Sequence, residues 1–317
     1  MISNREPGRL LRAQLFAALN TPGIPTPGSS MSVRPIISAA AARSTTAFTL
    51  NITALAKLLA FMTTPQTSAN AQGRARTLVA LLAHADDETA ASPVLARYAR
   101  EGVQVHIIIA SDGPAGSGSQ TYLVRPDSGP QGEALAKVRA DEARCAAAAI
   151  GANEPILLGF PDGKLGDYPG DRTLLSRLTE RIAREIERLR PDVVVTWGPD
   201  GGTGHPDHRL ISSIATQLQR FGAPGMPERL FYMYLPAEGF RLLNPHREEP
   251  PMLIPRAQYF TVNVPFTPAD LEAAQKAMAC HRSQFTPEML QRLLPEQRRL
   301  LNGQDRVHPS FSDHAWR

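Results

Sequence analysis

An unbroken apolar run, Leu78 to Ala83, stops on a crowd of polar groups, His84, Asp86, Asp87 and Glu88. A run without polar alternation predicts a strand buried on both faces, and Thr77 and the β-branched Val79 fit that reading. Helical spacing of Val94, Leu95 and Tyr98 then predicts a helix over Thr89–Arg100. Further apolar runs over Val103–Ala110, Pro155–Phe160 and Asp192–Trp197 predict three more strands. Between them lie a Gly-rich loop from Ser111-Asp112-Gly113 to Gly132 and an Ala-rich helix over Glu133–Ile150. Gly151 closes that helix at its C′ position. The turn Pro161-Asp162-Gly163 leads to a long amphipathic helix over Arg172–Arg190, stopped by Pro191.

After one more helix, Arg229–Leu235 and Gln258–Val264 read as strands. Thr267–His281 reads as a late helix with Thr267 as N-cap and Pro268 at N1. This alternation predicts an α/β fold, a Rossmann-like three-layer sandwich with a mostly parallel sheet. The polar cluster after the first strand then sits at a strand's carboxyl end, where open α/β sheets bind ligands.

The first 75 residues do not share this pattern. Pro22 to Ser30 is rich in Pro, Gly and Ser, and Pro65 to Gly73 is polar. Between them, Arg34 and Arg43, the moderately apolar Thr45 to Met62 and the small-residue site Ala69-Asn70-Ala71 make an export-signal pattern starting at Met31. Asn51 and Lys57 interrupt its apolar part, and a disordered tail is the other reading. We therefore expect a leader over 1–75 and one domain over 76–317, exported if the leader is a signal peptide and cytoplasmic otherwise. No other segment has the ~20 apolar residues of a membrane span.

Composition, with 42% hydrophobic and 20% charged residues, allows a full-size core. The net charge of +4 divides unevenly. Residues 1–75 carry seven basic groups against one acidic, and the rest 27 against 29. The basic excess belongs to the leader, which argues against nucleic-acid binding. Cys145 and Cys280 are too few for a disulfide framework and lack zinc-ribbon spacing. Both fall in helical patterns and read as small buried residues.

A second polar cluster, Gly204-His205-Pro206-Asp207-His208, follows the fourth strand and the Gly-rich turn Gly198–Gly204. Alone, each cluster reads as a helix start: acidic caps in the first, Pro206 at N1 in the second. At the ends of two strands of one sheet they can meet. One imidazole and one carboxylate from the first, with an imidazole from the second, leave a tetrahedral position open for water, the pattern of catalytic zinc. The glycines from Gly113 to Gly118 lack the order of a dinucleotide site. Arg139 reads either as a substrate-reaching guanidinium or as a surface arginine. Asp162 reads either as a sugar-hydroxyl ligand or as a turn residue.

His-x-Asp-Asp-Glu and His-Pro-Asp-His in this strand context resemble the LmbE-like (PIG-L) family of zinc-dependent de-N-acetylases. That family includes the N-acetylglucosaminyl-phosphatidylinositol deacetylases and the deacetylases of bacterial thiol biosynthesis. The likeness runs from Thr77 to Gln284, through Ser111-Asp112-Gly113, Val138-Arg139 to Glu142, Gly159-Phe160-Pro161-Asp162-Gly163 and His281-x-Ser283-Gln284. The resemblance implies His84, Asp87 and His208 as zinc ligands and Asp86 as catalytic base. It implies a protonated His205 against the oxyanion, with Asp207 behind it as orienting partner. Ala85 stands where the family usually has Pro, and Thr203 where some sugar-processing members carry Tyr.

The implied activity is removal of acetyl from an N-acetylglucosamine-type sugar or glycoconjugate, a small-molecule partner, with either Asp86 or His205 returning a proton to the amine. Two other readings stand beside it. One is an amidase on a larger thiol-sugar conjugate, the other a non-catalytic carbohydrate-binding Rossmann-like domain.

Overall fold

A computed structural model describes residues 73–111, 113, 132–165, 170–202, 204–233 and 264–301. The expected leader, and nearly all of the strand expected over Gln258–Val264, lie outside them. Asp112 and Thr203 do too.

Five strands form one sheet: β1 (Thr77–Leu82), β2 (Gln104–Ser111), β3 (Ile156–Phe160), β4 (Val193–Trp197) and β5 (Leu230–Met233). Their order is β3-β2-β1-β4-β5, and every pair is parallel. β1 is fully buried along its length, as its lack of polar alternation requires. Alternate side chains feed two cores. Leu78, Ala80 and Leu82 pack with Val105, Ile107 and Val195 on one face, and Val79, Leu81 and Ala83 pack with Ile108 and Val194 on the other.

The first face is covered by α1 (Ser92–Arg100), α2 (Glu133–Ile150) and α5 (Pro268–Cys280). The second is covered by α3 (Arg172–Leu189) and α4 (Pro206–Arg220), and α6 (Pro287–Leu301) follows α5. The three-layer expectation holds. β1 lies between strands whose connections leave it in opposite directions, so the gap between the β1 and β4 carboxyl ends is the switch point where such sheets bind ligands.

Two expectations are corrected. The helix expected from Thr89 begins at Ser92, because the polar turn first runs through a 3₁₀ segment, Asp87–Ala90. Cys145 and Cys280, expected to be separate, form a disulfide across α2 and α5, their Cα atoms 5.8 Å apart. α5 is set by a capping box in which Thr267 and Asp270 satisfy each other's backbone N–H. Asp270 also takes a bidentate contact from Arg100 at 2.8 and 3.0 Å, fastening α5 to α1.

Candidate active site

The turn after β1 is built around Asp87 and Asp86. Asp87 folds back so that its Oδ2 accepts the N–H groups of Ala83 and His84, each at 3.0 Å. These donors would otherwise be orphaned at a strand end. Asp86 has φ 100°, a left-handed conformation that costs a non-glycine residue free energy and needs support from its surroundings. Its N–H donates to Glu88 Oε2 at 3.1 Å, and its carbonyl accepts Thr89 N–H and Oγ–H at 3.0 and 2.6 Å. Arg139 donates to the neighbouring Ala85 carbonyl. Held this way, the Asp86 side chain keeps 23% exposure while that of Glu88 keeps 1%.

The turn after β4 is built around glycine. Gly201 and Gly202 have φ of 79° and 64°, and a Cβ on Gly202 would lie 2.4 Å from the Trp197 ring. That close approach lets Trp197 stack on His208, with centroids 4.7 Å apart and planes 1° from parallel. The Gly201 carbonyl lies 2.9 Å from His208 Nδ1. That nitrogen must therefore carry the proton, which leaves Nε2 with a free lone pair. His205 is the N-cap of α4, its Nδ1 accepting the Asp207 N–H at 3.2 Å. Neutral His205 is thus protonated on Nε2 and can donate from there.

The two turns meet over the switch point. His84 Nδ1 lies 3.1 Å from His208 Nε2, His208 Nε2 lies 3.1 Å from Asp87 Oδ1, and His84 Nδ1 lies 3.8 Å from Asp87 Oδ2. Donors bound at zinc distances around a tetrahedral centre are spaced about 3.3 Å apart. The two imidazole nitrogens approach that spacing, and Asp87 meets them through different oxygens, Oδ1 toward His208 and Oδ2 toward His84. His84 Nε2 lies 3.3 Å from both Asp207 Oδ2 and Asp162 Oδ1, so it carries the proton and Nδ1 is left for a metal. Two His-containing groups bring donor atoms within 4.8 Å of one another: His84, His205 and His208, and His84, Asp162 and Asp207. These residues could hold a metal ion.

The electrostatics agree with a site made for a cation. Burial disfavours charge on His84, but hydrogen bonds to Asp207 and Asp87 and the charge of Asp162 outweigh it, holding the ring up at about 10. Burial would raise Asp87, yet His208 and His84 keep its carboxyl well below the ordinary value. Burial pushes Asp86 up to about 6, with Asp87 reinforcing the rise and Arg139 opposing it. Burial first, then the charges of His84 and His208, push His205 down to about 4.

His84, Asp86, Asp87, His205, Asp207 and His208 are thus brought together from two distant segments. Three of the expected residues have surroundings that the sequence did not suggest. The Asp207 carboxylate meets His84 and the Gly163 N–H, at 3.3 and 3.1 Å, and touches His205 through its backbone N–H. It orients His84. His205, expected to be protonated, is pushed below its ordinary value by burial and by its neighbours His84 and His208. Arg139 is neither on the surface nor open to a ligand: it is 3% exposed and braces the Ala85 carbonyl, with Asp86 and Asp162 oxygens at 3.5 and 3.6 Å. Asp162 likewise serves His84 and Arg139 beyond its turn. Sequence reasoning missed Trp197 and the buried pairing of Glu88 with His281. Placing Arg139 and Glu142 on the Leu135–Ala146 face of α2, at i, i+4, i+7 and i+11, would have flagged both as buried.

The sequence profile of the family described as PIG-L, GlcNAc-PI de-N-acetylase, matches residues 79–219. The 1D-myo-inositol 2-acetamido-2-deoxy-alpha-D-glucopyranoside deacetylase of Rhodococcus jostii is 31% identical over 248 residues, covering 67% of this chain and 82% of the relative. A second enzyme of that name, from Catenulispora acidiphila, is 27% identical over 275 residues, covering 74% and 89%. Among solved structures, a deacetylase–teicoplanin complex from teicoplanin biosynthesis has TM-score 0.51 at 17% identity, covering 74% of this chain and 95% of that one. At that identity the likeness speaks for the fold alone, and the fold agrees. With its relatives aligned over most of their length and both polar clusters inside the matched region, the chain belongs to the PIG-L family of de-N-acetylases.

Proposed function

We propose that this protein is a zinc-dependent hydrolase that removes the acetyl group from an N-acetylglucosamine-type sugar or glycoconjugate. The observation that carries this is the convergence of His84 Nδ1, His208 Nε2 and the Asp87 carboxylate at 3.1–3.8 Å, with Asp86 next to Asp87 in the chain and near enough to Asp87 and His84 to feel their charges. Two imidazoles and one carboxylate suit zinc and leave a coordination position open. Bound there, the metal supplies Lewis acidity, polarising the amide carbonyl and making water more acidic.

The chain's own residues do the proton work. Asp86, the most accessible carboxylate of its turn, takes a proton from the attacking water. Water oxygen adds to the carbonyl carbon, and His205 Nε2–H donates to the oxygen that becomes negative. The C–N bond then breaks, and Asp86 returns its proton to the amine nitrogen. The products are acetate and a free amino sugar.

Because both relatives are named for an acetamido-glucopyranosyl inositol, that compound is the first to assay, followed by N-acetylglucosamine and its conjugates. The expected result is acetate release with stoichiometric zinc by elemental analysis. Purified protein without zinc and without acetate release from any of them would leave a carbohydrate-binding domain instead.

The protein is also read as exported. Ala69-Asn70-Ala71 offers a cleavage site, and the Cys145–Cys280 disulfide suits an oxidising compartment. Among the described residues no helix is long and apolar enough to cross a membrane. N-terminal sequencing from the native host should find a chain starting near Gln72; an intact leader in the cytoplasmic fraction would overturn this.

A further inference from the structure

Glu88 stands apart from the other polar groups that end β1. It is 1% exposed, and its contacts lie with the backbone and with a segment 193 residues away. Its Oε1 pairs with Nε2 of His281, itself fully buried, while its Oε2 accepts the Asp86 N–H at 3.1 Å. Burial disfavours charge on His281, but Glu88, with Asp86 and Glu142 nearby, holds the ring above its ordinary value. The two side chains meet directly in a closed site.

The His281 segment is mounted on α2 from both sides. Cys280, the last residue of α5, is bonded to Cys145 of α2. One turn earlier on α2, Glu142 accepts the Ser283 N–H and Oγ–H at 2.7 and 2.6 Å. His281 is thus delivered to Glu88 by a rigid support, and Glu88 closes on the left-handed residue of the turn. Thr89 holds only the carbonyl of Asp86. Its N–H depends on Glu88; losing that acceptor would leave the Ala85–Asp86 peptide held at one end only, by Arg139 on the Ala85 carbonyl, and would loosen the aim of the carboxylate.

We propose that His281 is a positioning residue: through Glu88 it fixes the strained backbone of Asp86 and so aims the Asp86 carboxylate. The inference rests on the reading of Asp86 as the base. A pair serving stability alone would be replaceable by apolar residues of similar size without effect on the turn.

The test uses the purified protein with His281→Leu/Glu88→Leu and with His281→Gln. Removing the pair altogether avoids stranding a buried charge. In that double variant the Asp86 amide should exchange its hydrogen about 10-fold faster, the factor a hydrogen bond to a charged group supports. Its kcat should fall about 10–100-fold, as for other supporting contacts around metal sites, with KM and zinc content unchanged. His281→Gln keeps an N–H donor for Glu88 and should restore most of the exchange protection and of kcat. Unchanged exchange and kcat in the double variant would reduce the pair to a stabilising contact and overturn the proposal. Should the double variant not fold, His281→Gln decides alone, since loss of either readout there contradicts the hydrogen-bonded route. If the wild-type protein releases no acetate from any N-acetyl sugar, the proposed function fails, and the exchange measurement still decides this inference.

Discussion

Asp86→Asn is expected to keep its zinc and lose turnover by ~10²–10⁴-fold, the usual worth of general acid–base catalysis. The substitution leaves the shape of the side chain unchanged. It also suits the backbone, because Asn is among the few residues that tolerate the φ of 100° found here. Arg139, 3.5 Å from Asp86 Oδ1, can still meet an amide oxygen. What the amide cannot do is accept the proton of the attacking water. Asp86 contributes none of the three converging donor atoms, so elemental analysis should return the wild-type metal content beside the lost acetate release. Loss of zinc from this variant would instead make Asp86 a ligand and exchange its role with that of Asp87.

Much of this arrangement can be read from the chain because the central strands are buried on both faces. Leu78–Ala83 and Val193–Trp197 have almost no polar interruption, so their ends are sharp, and the clusters that follow are placed at the strand carboxyl ends. Parallel pairing of β1 with β4 then brings His84 and His208 together, although 124 residues separate them. What is not legible depends on where distant segments return. Nothing near Glu88 announces that His281 will meet it, and His281-x-Ser283-Gln284 read alone is a helix end. The disulfide is hidden for the same reason: both cysteines sit in Ala-rich helices whose packing against each other is a tertiary fact. Asp207 misleads in a different way. Its place in His-Pro-Asp-His points to its neighbour His205, whereas the contact of its carboxylate with His84, made from the first turn of α4, has no sign in the sequence. Sequence adjacency on a helix is a poor guide to which side chains meet, since neighbours in sequence point about 100° apart.

His208→Ala is expected to lose most of its zinc and to bring acetate release down to background. Two of the three ligands would remain, and two donors do not make a stable structural or catalytic zinc site. The fold should survive the change. His205 and Pro206 still start α4, and Asp87 Oδ2 still receives the Ala83 and His84 N–H groups at 3.0 Å. Metal-free His208→Ala should therefore unfold close to the metal-free wild type. Asp87→Ala should lose zinc as well, but with a further penalty. It removes two buried hydrogen bonds to a carboxylate, and hydrogen bonds to charged groups contribute about 1.5–3 kcal/mol each. Comparing the two variants in denaturant, both metal-free, separates binding the ion from holding the turn. Zinc at wild-type stoichiometry in His208→Ala would remove that residue from the ligand set and leave His84 and His205, whose rings lie 4.7 Å apart, as the imidazoles to test next. Partial recovery of activity in excess zinc would have the opposite meaning. It would show that His84 and Asp87 alone still place the ion correctly, and that His208 contributes affinity more than geometry.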